Sequence, residues 1–143
     1  MPKDHTPEET NIILQQWQTC VSSAETVSQR RDVINGIFVT LSLAIMTATT
    51  AFMDWRAYPL LLVGVVISIA WLLYLSSLRK LNQAKYAIIN NYESLLPVKP
   101  FSQEWEQLSS DPKYLKGTFI EKILPISFLV LYAILFVLVL VAL

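Results

Sequence analysis

The stretch VINGIFVTLSLAIMTATTAFMDWRAYPLLLVGVVISIAWLLYLSSL, residues 33–78, decides how the rest of the chain must be arranged. Within it, residues 33–52 and 58–78 form two apolar runs of 20 and 21 residues, neither holding an Asp, Glu, Lys or Arg. As a helix each is about 30 Å long, the thickness of a bilayer's hydrocarbon core. Only Met53, Asp54, Trp55, Arg56 and Ala57 separate them, so the two must cross as neighbours. In hydrocarbon every peptide N–H and C=O needs a partner inside the segment, and for so few crossings the helix is the form that supplies it.

Composition agrees with that reading. The 143 residues are 54% hydrophobic and 15% charged, the balance of a membrane protein rather than of a soluble domain. A net charge of zero gives no overall attraction to nucleic acid or anionic lipid. Cys20 is the single cysteine, which excludes a disulfide within the chain and suits a small core residue. Asp4, Glu8, Glu9 and Glu25 precede the first apolar run, unlike a cleavable signal peptide, so the N-terminal segment is expected to be retained.

Outward from the hairpin, helical patterning continues on both sides. Residues 1–5 are polar and expected to fray. Thr6-Pro7-Glu8-Glu9 is a helix start: a Thr N-cap, Pro at the first helical position and Glu at the third to complete a capping box. Ile13, Trp17, Cys20, Ala24, Val27, Arg31 and Ile34 then recur at alternating spacings of four and three, with no Gly or Pro before Gly36. The helix should therefore run into the first span unbroken, its stripe serving either as a packing face or as an intersubunit coiled coil. Past Leu78, a second seam through Leu81, Lys85, Ile88, Tyr92 and Leu95 runs until Pro97. Together they predict a helical stalk whose contact buries Trp17 and Tyr92. Pro97-Val98-Lys99-Pro100 breaks the pattern, a short helix capped by Ser102 ends near Ser109, and Asp111-Pro112 marks a turn. A further short helix over 113–122, weakened by Gly117, leads into a third apolar run, 123–143, with Pro125 in its first turn.

The expected fold is thus an all-α integral membrane protein with three transmembrane helices and a cytoplasmic helical stalk. Its segments are an amphipathic helix (1–32), a membrane hairpin (33–78), a helical segment (79–122) and a last span (123–143). Arg30 and Arg31 precede span one, Arg79, Lys80 and Lys85 follow span two, and Lys116 and Lys122 precede span three, whereas the first connection carries Arg56 alone. The positive-inside rule places the N-terminus and 79–122 in the cytoplasm and the C-terminus outside the inner membrane. Trp55 and Tyr58 then fit an outer aromatic belt.

Enzymatic chemistry finds little to work with. The single histidine, His5, has no cysteine or carboxylate cluster around it, so neither a metal site nor a Ser-His or Cys-His arrangement is expected, and no cofactor. What remains lies in the spans. Asn35, Ser42 and Thr49 recur every seven residues on one side of span one with Thr50. Such hydroxyls often bond their own i−4 carbonyl, but in an oligomer the same stripe could line a polar path, with Asp54 as a charged ring at its mouth. Gly64 and Ser68 in span two allow close approach within the hairpin, while span three reads as an outer scaffold. Arg30, Arg31, Arg79 and Lys80 set topology and anchor headgroups. Repeated by symmetry, and with Lys85 nearby, they could instead receive a nucleotide phosphate while Trp17, Tyr86, Tyr92 or Trp105 stacks a base.

Trp17, Ala24, Ser28, Arg30-Arg31 and Asn35, the paired spans, and the run Leu78-Arg79-Lys80-Leu81-Asn82-Gln83-Ala84-Lys85-Tyr86 together resemble the small SLATT-type membrane effectors of prokaryotic nucleotide-signalling immunity and the channel-like subunit of Hailong antiphage systems. The resemblance covers about residues 12–96 and leaves the third span outside the two-span pattern. It implies a homo-oligomer, taken here as a tetramer, that stays closed until the nucleotide or oligonucleotide product of a nucleotidyltransferase binds, then conducts ions and depolarises the cell. A non-conducting adaptor that recruits a soluble enzyme is the alternative. On the orientation above, in a Cys20→Ala background, an impermeant thiol reagent added to sealed right-side-out vesicles should label Trp55→Cys and spare Gln83→Cys; the opposite pattern inverts the topology.

Overall fold

The computed structural model describes residues 6–52, 54–111 and 117–142. Among these are four helices: α1 (Pro7–Ala51), α2 (Ala57–Glu93), α3 (Pro100–Ser110) and α4 (Gly117–Ala142). Three of them, α1, α2 and the Phe119–Val141 part of α4, contain a stretch long and apolar enough to cross a bilayer. The chain is an all-α, multi-pass membrane protein. The expected fraying at 1–5, the turn at Pro112 and the start of the 113–122 helix lie outside the described residues.

α1 begins with its capping box made: the Glu9 N–H donates to Thr6 Oγ1 at 3.3 Å and the Thr6 N–H to Glu9 Oε2 at 2.9 Å. It then continues for 45 residues without interruption. After Ala51 the chain reverses through a short turn in which the Arg56 N–H donates to Asp54 Oδ1 at 2.8 Å and the Ala57 N–H to the Asp54 carbonyl at 3.0 Å. Asp54 thereby satisfies peptide groups that the start of α2 leaves open.

The chain packs as two compact units, one from Met1–Arg30 and Leu78–Leu115, the other from Arg31–Ser77 and Lys116–Leu143. The first joins the N-terminal part of α1 to the C-terminal part of α2 and to α3. Ala24, Val27, Leu78, Ile89 and Glu93 are its buried residues. On α1 the buried face follows the expected seam. On α2 it does so only in part: Lys85 and Tyr92 are half-buried, but Leu81, Ile88 and Leu95 are 46%, 49% and 48% exposed, and the inward face is turned toward Leu78, Asn82, Ile89 and Glu93. Glu93 explains the rotation. Its carboxylate, fully buried, accepts the N–H of Phe101 at 2.7 Å, the N–H of Ser102 at 3.1 Å and the Ser102 hydroxyl at 2.6 Å. These are free donors of α3's first turn, so an acid on the preceding helix caps this one. Accordingly α3 begins at Pro100 rather than at Ser102, which lies inside its first turn.

The second unit packs α1, α2 and α4 around Ile45, Leu61, Trp71, Leu75, Phe128 and Tyr132. Trp71 is fully buried, stacked on Phe38 at 5.4 Å and 4° and tilted against Phe128 at 6.0 Å. Gly64 receives Tyr132: a Cβ there would run into the phenol ring, so Gly64 gives α4 close access to α2. Span three is correspondingly more than an outer scaffold, since Pro125, Phe128, Tyr132 and Val139 are buried. α4 starts at Gly117, which makes Pro125 an interior residue rather than one of the first turn; its missing N–H removes the bond to the Glu121 carbonyl.

Two outcomes follow from this packing. Gly64→Ala should displace Tyr132 and lower stability by about 1–3 kcal/mol, read as a fall in the thermal midpoint in detergent. Glu93→Ala should strand the Phe101 and Ser102 donors at a cost of about 1–3 kcal/mol, with faster hydrogen exchange confined to the first turn of α3.

Candidate functional site

Span one was expected to carry a polar lining through Asn35, Ser42, Thr49, Thr50 and Asp54, and the structure divides that set. Asn35 Oδ1 accepts the Trp71 indole N–H at 2.8 Å. The Ser42 carbonyl accepts the Tyr132 hydroxyl at 3.1 Å, while the Ser42 Oγ is buried with no hydrogen-bond partner. Thr49, fully buried, donates from Oγ1 to the Ile45 carbonyl at 2.8 Å. These three residues face the interior of the protomer, where the large buried side chains that carry a polar atom, Trp71 and Tyr132, find acceptors at Asn35 and Ser42. Thr50 points the other way, exposed, and donates to the Thr47 carbonyl at 2.8 Å. Asp54 sits in the turn, its carboxylate 3.9 Å from the Arg56 Nε.

The hydroxyls outside that column behave alike. Thr40 donates to the Gly36 carbonyl and Thr47 to the Leu43 carbonyl, both at 2.9 Å. Each spends its donor inside α1, so these residues cost little in hydrocarbon.

The candidate phosphate-binding cations are also in different states. Within the first unit, Arg30, Arg79 and Lys80 are exposed. Lys85 is half-buried and its ammonium donates to the Ser23 hydroxyl. Arg31 belongs to the second unit, where its Nε lies 3.2 Å from the Glu121 carboxylate. Its charge is met by α4 and is not free for a ligand in this state.

Of the aromatic residues proposed for base stacking, Trp17 and Tyr86 both pack on Phe101, with ring centres 5.7 Å and 6.1 Å away. Tyr92 is half-buried and Trp105 is 58% exposed. The Trp17 indole N–H is buried without a hydrogen-bond partner. Phe101 and Glu93, neither singled out from sequence, thus seat the first turn of α3: one fills the space between Trp17 and Tyr86, the other holds the peptide groups. The available signal was an acid just before a proline-bounded break that opens a helix. Gln15, Gln18, Thr19, Ser22, Ser23 and Thr26 line a shallow, uncharged groove on α1. Among the described residues, no three His, Cys, Asp or Glu gather in a way that could hold a metal ion.

No curated protein and no solved structure matches the chain. Residues 14–141 match a family described as the octameric membrane protein family (8xMP), a span that runs from the first turns of α1 almost to the end of α4. That name carries self-association and a membrane setting, and gives eight subunits where four were expected from sequence; a tetramer has no support in it. With its three apolar helices and a match over most of its length, the chain belongs to the octameric membrane protein family.

Proposed function

We propose that the protein closes into an octamer and acts as a channel-like effector, gated by a nucleotide or oligonucleotide, that depolarises the membrane in antiphage defence. The family match supports the octameric membrane assembly on which this reading is built. Eight multi-pass subunits arranged about one axis can enclose a central opening, which a single three-helix protomer cannot. The resemblance of residues 12–96 to nucleotide-signalling membrane effectors adds the gating ligand and the defence setting. The orientation that suits it keeps the N-terminus and 79–122 inside the cell, where Arg30, Arg79 and Lys80 meet a soluble phosphate. No catalysis is required of the chain. The activator works by binding the open arrangement more tightly than the closed one.

The pore wall is not assigned to Ser42 and Thr49, whose side chains are turned into the protomer. Asp54, at the turn between the first two spans, remains the charged candidate at a pore mouth. A second reading, the non-conducting adaptor, draws on α3, which contributes no buried residue and holds Trp105 out beside Glu104 and Glu106 as a ready contact for a soluble enzyme.

Planar bilayers discriminate between the two. Purified octamer should be silent alone and pass discrete current once the nucleotidyltransferase product is added from the side that carries 79–122. Silence under every nucleotide and oligonucleotide tried, with retention of a partner enzyme on the immobilised protein, would instead establish the adaptor.

A further inference from the structure

The second unit leaves one face of α1 unused by its own fold. Gly36, Thr40, Leu43, Thr47 and Thr50 follow one another at spacings of four and three, and all five are exposed. This is the rhythm of helices that cross at a shallow angle with side chains interlocked. It is a different face from the one that carries Ser42, Ile45 and Thr49, which are buried against α2 and α4.

Gly36 shows what the face is for. A glycine inside a helix costs about 1 kcal/mol relative to alanine, so it needs a reason. Gly64 has one within the protomer, because any Cβ would strike Tyr132. Gly36 has none: a Cβ built there meets nothing within 4 Å. The notch opens outward, so the body that requires it lies outside the protomer. Lipid chains adapt to any contour and have no use for a notch. A second helix does, since in hydrocarbon helices associate through small residues that let backbones approach.

The hydroxyls point to a dry neighbour rather than to water. Thr40, Thr47 and Thr50 already donate to the carbonyls of Gly36, Leu43 and Thr47, so no donor on this face is left needing solvent. The outward faces of the other spans are of another kind. They present Leu62, Val66 and Leu73 on α2 and Ile134, Val137 and Val141 on α4, large aliphatic side chains suited to lipid.

We infer that the Gly36–Thr40–Leu43–Thr47–Thr50 face of α1 is where a second copy of this chain packs in the assembly. The inference rests on the octamer proposed above, in which every subunit must present surfaces to neighbours. It names the element that forms one of them.

Native mass spectrometry of the full chain tests both and separates them. Wild type should count eight subunits. Gly36→Leu and Thr47→Trp should reduce the octamer at least tenfold while far-UV circular dichroism stays helical, and Val66→Trp and Val137→Trp should assemble normally. In a Cys20→Ala background, a lipid-soluble maleimide should label Val137→Cys at least tenfold faster than Thr47→Cys. A wild-type protein that remains monomeric would sink the octamer and this face with it. An octamer that survives Gly36→Leu and Thr47→Trp, or whose Thr47→Cys thiol reacts as fast as Val137→Cys or with a water-soluble reagent, would overturn the inference alone, the last result assigning the face to a water-filled path.

Discussion

In the hydrocarbon core no water competes for polar atoms, and apolar side chains gain nothing by leaving lipid for one another. Three greasy helices therefore have little reason to choose one arrangement unless close packing and a few polar ties select it. In this protein the selecting contact is Tyr132. Its ring occupies the space that Gly64 leaves on α2, and its hydroxyl reaches the Ser42 carbonyl on α1 at 3.1 Å. One side chain from the third span thus touches both of the others, and its hydroxyl has its acceptor on α1.

The remaining ties repeat that logic. The Trp71 indole is held by Asn35 and sandwiched by Phe38 and Phe128, so the hairpin and α4 share a second aromatic centre. The Arg31–Glu121 pair joins α1 to the beginning of α4, both side chains about a quarter exposed. Partial exposure spares this pair the full desolvation that makes a deeply buried ion pair costly. In the first unit a carboxylate does the selecting. Glu93 forgoes solvent for three hydrogen bonds from α3, and the rest of α3 adds no buried residue.

What could be read from the chain alone divides along the same line. The three spans were legible because absence of charge over 20 residues is a count, independent of any neighbour. The capping box at Thr6 and Glu9 was legible because both partners lie within one turn. Register was not. Periodicity marks a face, and on α2 it favoured Leu81, Ile88 and Leu95, yet the demand of α3 for an anion turned Glu93, and Ile89 with it, inward. Ser42 and Thr49 were visible as polar residues in a membrane helix, but whether such a residue faces its own protomer or the outside depends on what the other helices bring. Tyr132 was the missing term. It is the single tyrosine of its run, and only its position opposite Gly64 makes it decisive.

α1 carries polar residues on two faces, and the fold buries one of them. The Asn35 side chain accepts the Trp71 indole N–H and the Ser42 carbonyl accepts the Tyr132 hydroxyl, so these two groups hold the protomer together, while the Thr49 hydroxyl is spent on the helix's own backbone. Thr40, Thr47 and Thr50 leave the fold untouched and hence free to be set by assembly. Under the proposed gating this division has a mechanical consequence. The inward ties resist sliding of the span of α1 against α2 and α4. On the packing inferred above, the contact between copies would carry no such ties, since the hydroxyls of Thr40, Thr47 and Thr50 are already satisfied within α1.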